Sequence, residues 1–391
     1  MLARRADCSA PVEWIVARWL TFVATLVIAG ACTVGLVLLP RARGDRSTHL
    51  EIARDTARLG LVAVALLIPA SLLRLTDQVL ALRSPGDAIA ATVTALLAST
   101  MWGTGFLWQC AALLVAGIGL LLVRRAPGAV SRWCIAAVGA LGLCVTPALQ
   151  GHAIGSEEST ALAVAADIAH VVGGSLWLGT IGVIAWLGMA MRNADGELST
   201  ERASRAAARI RMLVPLVPPI ALPGAALLIA SGVLATWLHL RTLDDLWRDA
   251  WGRYVLAKSI AACMIVALGA LNWKRIGRRL HDSSGVSSLR RALTAELLLA
   301  LLILVITAIL VVTPLPGESD DASRKPREGE YFGLGRPAHA WVELRSRRDG
   351  ERFEQYASVA IGPIFPQLSS AAPRRAPQAR TVCESSGASN S

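Results

Sequence analysis

The chain of 391 residues is 54% hydrophobic and only 17% charged, with the apolar residues bunched into runs, a composition that excludes an ordinary soluble domain of this length. A net charge of +11 would suit a nucleic-acid partner only if the basic residues shared one soluble surface. They lie mostly in the short segments between the runs, so no nucleic-acid partner is expected.

In chain order, runs of about 20 apolar residues, enough to cross about 30 Å of hydrocarbon at about 1.5 Å per residue, fall near 14–39, 57–82, 100–123, 130–149, 161–191, 210–238, 254–273 and 292–313. They predict an all-α, polytopic transmembrane bundle of about eight spans seated in a lipid bilayer. The first span follows no short apolar stretch with a small-residue cleavage site and is expected to be retained. Trp14, Trp19, Trp102, Trp133, Trp237, Trp251 and Trp273 stand at or near span ends, where an amphipathic indole prefers to sit. The segment 84–99 opens with Ser84-Pro85-Gly86 and is too short to span, so it is expected to be interfacial or re-entrant. Pro215, Pro218, Pro219 and Pro223 in the sixth span each remove a backbone donor, which predicts a kinked or broken helix.

Basic residues alternate in density between loops. Nineteen Lys and Arg follow the first, third, fifth and seventh spans, among them Arg41, Arg54, Arg124, Arg209 and Lys274. Four, Arg83, Arg241, Arg248 and Arg253, follow the second, fourth and sixth. The positive-inside rule places the first set in the cytoplasm and both termini outside. The expected division is 1–145 for the first four spans, 146–315 for the last four, and 316–391 for an outer, largely disordered tail with strand-like stretches near 338–345 and 356–361.

An ionisable group at the centre of a membrane helix costs on the order of 2.5–3.5 kcal/mol on insertion scales and needs a partner, a wet cavity or a route to the interface. Arg18 is expected to snorkel, and Arg74 and Asp77, at i and i+3, to satisfy each other. Asp167 and His170 share one face of the fifth span about two turns from its outer end, where a carboxylate can fix an imidazole tautomer and leave the other ring nitrogen to a ligand. His152 and His239 fall on the same outer side. Imidazole suits copper, zinc and iron, and thioether or thiolate favours Cu(I), so Met101, Cys144 and Cys263 are possible soft ligands. The seven cysteines show no CxxC spacing, and those inside spans read first as small hydrophobes. No phosphate-binding Gly-Lys-Ser/Thr loop and no hydrolase-like site is present, so no enzyme activity is expected.

Several stretches then form an ordered series. They are Gly151-His152-Ala153; Asp167 to His170 and on through Gly174, Ser175, Trp177 and Gly179; Ser231-Gly232 with Trp237; Trp251-Gly252-Arg253-Tyr254 to Lys258; Leu268 to Asn272; and Arg291 to Glu296. Over about 150–315 the chain resembles the copper resistance protein D (CopD) family of bacterial inner-membrane proteins, with the first four spans alike in topology more than in motif. The resemblance implies copper, as Cu(I) or Cu(II), carried or handled across the inner membrane, and a possible periplasmic CopC-like partner. It implies His152, Asp167 and His170 as copper-site candidates, and Trp177, Lys258, Asn272 and Glu296 as family-pattern positions. Two other classes remain open: a b-type haem protein in quinol-linked electron transfer, which needs paired axial histidines at matched depth, and an assembly factor for a respiratory metalloenzyme.

Overall fold

The computed structural model describes residues 12–84, 86–150, 160–189, 200–240, 242–276, 283–313, 340–349 and 352–361. They form two units, a helical one up to Ala338 and a small one from His339 onward. In hydrocarbon no water is available to backbone N–H and C=O groups, so each apolar run closes its hydrogen bonds within itself as a helix.

The helices are α1 (Val12–Thr33), α2 (Arg46–Leu82), α3 (Ile89–Ser99), α4 (Met101–Arg125), α5 (Val130–Leu149), α6 (Thr160–Gly174), α7 (Thr180–Leu187), α8 (Thr200–Leu213), α9 (Pro218–His239), α10 (Asp245–Arg248), α11 (Ala250–Ile276) and α12 (Ser283–Leu310). Among the described residues eight are long and apolar enough to cross a membrane, α6 and α7 counting as one span through the π-helical turn Ser175–Gly179. The segment 84–99 gives the short helix α3, with Thr100 capping α4 by accepting from the Gly103 N–H at 2.9 Å.

Two expectations change. α2 begins at Arg46, eleven residues before the apolar run, because its charges are paired rather than looped out. Asp45 caps the helix by accepting from the Thr48 N–H at 2.9 Å, and Asp55 takes Arg58 at 3.0 Å and Arg209 of α8 at 2.9 Å. The prolines of the sixth span separate two helices. Pro215 lies in a 3-10 turn, Val214–Leu216, and Pro218 opens α9, where its missing N–H leaves no helical bond unmade. Pro219 follows in the first turn of α9, and Pro223 lies further inside it.

Small residues set the packing, as expected where lipid supplies no hydrophobic drive between helices. A Cβ on Gly139 of α5 would stand 2.2 Å from the Ala116 nitrogen of α4, and one on Gly173 of α6 2.6 Å from the Leu228 nitrogen of α9. Gly179 meets α1 in the same way, at Leu26 and Gly30. The largest buried cluster, with Ile28, Leu67, Leu120, Leu143 and Ile184 at its centre, joins α1, α2, α4, α5 and α7. Trp237 on α9 and Leu114 on α4 are exposed, as suits side chains turned to lipid. Arg18 forms an ion pair across α1 and α2 with Asp77 at 3.7 Å, instead of simply snorkelling.

In the second unit Ala340–Asp349 (β1) and Arg352–Ile361 (β2) pair antiparallel, with Ala340 opposite Ile361 and Asp349 opposite Arg352. The strand stretches expected in the tail are thus joined in one hairpin; the remainder of the tail lies outside the described residues.

Candidate functional site

His170 lies one turn before the π-helical turn of its span. Such turns, which insert one residue into the helical ladder, often accompany functional sites. Three helices meet at the imidazole. Its Nδ1 is 3.2 Å from Ser231 Oγ on α9, and its Nε2 is 3.4 Å from Lys258 Nζ on α11. Ser231 Oγ also lies 2.7 Å from the Leu227 carbonyl and 3.1 Å from that of Leu228. The serine hydrogen is therefore committed to backbone, and the oxygen accepts from Nδ1–H. Nε2 then carries the lone pair and receives a proton donor, the Lys258 ammonium.

Gly232 makes the ring fit, since a Cβ there would stand 3.1 Å from His170 Cε1. Asp167 lies within electrostatic reach of Lys258. The tautomer expected from Asp167 is thus set by Ser231, and the carboxylate acts on the lysine. Sequence reasoning met Ser231 only in the Ser231-Gly232 stretch of the family pattern and gave it no role, since a hydroxyl in a span is no charge that demands a partner. Its signal was a hydroxyl beside glycine in an otherwise apolar run.

A second polar feature lies further along. Glu296 is buried, and with Trp177, Leu178, Ile181, Ile265, Leu297 and Ala300 it lines a narrow recess with room for about one water molecule. Its Oε1 faces α11 at Gly269, 3.9 Å from where a Cβ would be. Trp177 follows His170 by seven residues, about 10 Å along a helix axis.

The remaining candidates are dispersed. His239 gives its Nδ1 to the Ala235 carbonyl at 2.7 Å and tilts against Trp251, ring centroids 6.3 Å apart. Cys144 is buried against Ser175 Oγ at 3.6 Å, while Cys263 is exposed on α11 and Met101 exposed at the start of α4. Among the described residues no three His, Cys, Asp or Glu side chains gather as a preformed metal cage. His152 and the side chain of Asn272 lie outside the described residues.

Imidazole, ammonium, hydroxyl and carboxylate held between membrane helices define a polytopic membrane protein with a polar site inside its bundle. Residues 218–310 match the family model for copper resistance protein D, and residues 9–162 that for the copper resistance protein D-like N-terminal domain. The chain belongs to the copper resistance protein D family. Over 187 residues it is 27% identical to the copper transport protein CutJ of Bacillus subtilis (strain 168), covering 48% of this chain and 31% of that protein. The chain therefore spans about a third of the length of the curated relative it matches. No solved structure matches it. Ser231, His239, Lys258 and Glu296 fall inside the second matched region, whereas Asp167, His170 and Trp177 fall in the interval between the two.

Proposed function

We propose that this protein carries copper across the bacterial inner membrane and thereby contributes to copper resistance and homeostasis, with copper as its cargo and His170 Nε2 as the first nitrogen it meets inside the bundle. The observation that carries this is the contact of Nε2 with Lys258. Ser231 fixes the ring so that a lone pair points at a cation, and in the absence of metal that cation is the ammonium. Copper arriving at the site takes the ammonium's place, and Lys258 turns toward Asp167, whose charge balances it. The lysine and the carboxylate then neutralise each other, so the buried charge rises by that of the copper ion alone, where an unbalanced charge is costly.

The alternation of basic loops supports an orientation with the termini outside, which gives His170 to the periplasmic half. His152, which follows the preceding span in sequence, is the outer ligand in this scheme and the group that would receive copper from a periplasmic CopC-like carrier, and His239 ends α9. Glu296, deeper along α12, offers the next negative group on the inward path. The family and the name of the matched relative support copper over other cations, and imidazole is a suitable donor for it.

The test is made in cells lacking other copper-resistance genes. Wild-type protein is expected to change both cellular copper content, measured by mass spectrometry, and growth at high copper. His170→Ala, present in the membrane in equal amount, is expected to lose both effects. Equal copper content and growth with the variant and the wild type would remove His170 from the path.

A further inference from the structure

At the opposite end of the bundle, Gly44 stands between two side chains that the scheme above leaves unused. A Cβ built on Gly44 would be 2.9 Å from Met212 Sδ and 3.9 Å from His49 Nε2. The thioether and the imidazole nitrogen are therefore at most 6.8 Å apart across a gap that exists because residue 44 has no side chain. His49 Nε2 is buried from solvent and has no hydrogen-bond partner. A buried ring nitrogen without a partner has given up its water for nothing in return, and an ion would supply what it lacks.

The chain holds these groups in place by separate means. His49 belongs to the first turn of α2, capped by Asp45. Met212 belongs to the last turn of α8, whose buried residues Ala206, Ile210 and Leu213 follow at i, i+4 and i+7, and whose Arg209 is locked onto Asp55 and Glu51 of α2. The nearest carboxylate in sequence is engaged. Ser47 and Thr48 donate to Asp45 and hold it well below the usual carboxylate range, so it remains an anion serving as a helix cap.

We propose that His49 Nε2 and Met212 Sδ form a two-coordinate Cu(I) station at the cytoplasmic end of the protein, with Gly44 keeping the space for the ion. With bonds of the length that imidazole and sulfur make to zinc, about 2.0–2.3 Å, a bridging ion holds its two donors up to about 4.5 Å apart. Rotation of the flexible thioether closes the remaining distance. Thioether sulfur selects Cu(I). The exposed Arg41, Arg43 and Arg46 around the loop repel a divalent ion more than a monovalent one and make occupancy brief, as suits a point of release or capture. The station rests on the copper reading of the chain, but it names residues and a membrane face that this reading did not use.

The test is a Cu(I) titration of the purified full-length protein in detergent against a chromogenic Cu(I) chelator, counting equivalents retained. Wild type is expected to retain two. Gly44→Ala keeps both ligands but places a methyl in the gap, and Met212→Leu replaces the thioether by a side chain of similar volume; each is expected to lose one equivalent and keep the thermal midpoint of the wild type. His170→Ala is expected to lose the other. A wild type holding one equivalent that only His170→Ala removes would overturn the station and leave the outer site standing. A second equivalent unmoved by Gly44→Ala and Met212→Leu would also overturn it. Loss in those two variants with none in His170→Ala would support the station and overturn the outer site. A wild type that retains no Cu(I) would overturn both.

Discussion

Lys258→Met is expected to bind copper at least tenfold more tightly than the wild type while moving less of it. The ammonium is 3.4 Å from His170 Nε2, the atom to which the proposed function assigns the metal ion. Two unit positive charges at that separation repel by about 5 kcal/mol at an effective dielectric constant of about 20. In the proposed scheme the wild type avoids most of that by turning the lysine toward Asp167, but the turn has its own cost in lost contact with the imidazole. Methionine removes the competing cation with little change in bulk and leaves Asp167 to balance copper alone. Tenfold corresponds to about 1.4 kcal/mol, a modest part of the repulsion. Release then lacks the cation that refills the site, so transport slows. Chelator competition reads the affinity and cellular copper content reads the transport. Unchanged or weaker binding in Lys258→Met would reduce the lysine to a structural role.

Gly179→Ala is expected to be among the damaging small changes in the bundle, lowering stability by about 3 kcal/mol and with it the copper transport proposed above. Its Cβ would lie 2.3 Å from the Leu26 carbonyl oxygen and 3.1 Å from the carbon. Both atoms are backbone, so no rotamer relieves the clash and α1 has to move away from the π-helical turn. Overpacking of this kind costs about 1–3 kcal/mol, and the upper end applies because Gly30 of α1 is pressed on Gly179 from the same side. Gly117→Ala is the control, since the nearest atom to its Cβ is a Val64 methyl at 3.6 Å. Thermal unfolding in detergent should separate the two, with Gly117→Ala at or above the wild type. Equal midpoints would mean that the helices give way more easily than their backbone contacts imply.

The membrane part of the fold was legible because the bilayer demands long apolar runs, and all eight expected spans are among the described helices. Gly173 and Gly179 of the fifth span stand at the close approaches to α9 and α1, where lipid gives helices no hydrophobic reason to pack and small residues do. The N-terminal extension of α2 was not legible, since Arg46, Glu51, Arg54, Asp55 and Arg58 read as loop charges until Arg209 of α8 is seen paired with Glu51 and Asp55. Proline content signalled a break near 215 but not its form, because a proline at the first helical position leaves no bond unmade.

At the site, Asp167 and His170 stood out as a charge and an imidazole in an apolar setting, which is costly without partners, and Lys258 as part of the family pattern. Ser231 did not, because a serine can return its hydroxyl to the preceding turn in any membrane helix, and only the contact with His170 shows its second use. The pairing of His49 with Met212 was beyond reach of any local pattern, since it depends on α8 docking against α2. The N-terminal spans, alike to the family mainly in topology when read as sequence, match its N-terminal domain model over residues 9–162.

The central claim, that copper is bound by His170 Nε2, is tested most directly by X-ray absorption at the copper edge. The comparison is between Gly44→Ala protein, which leaves only the outer site, and the same protein carrying His170→Ala, each loaded with one equivalent of Cu(I). The account predicts imidazole-nitrogen scattering around copper in the first, loss of both the metal and that scattering in the second, and no Soret band in either. Copper retained with an unchanged spectrum in the His170→Ala protein, or a Soret band in purified protein without copper, would contradict it.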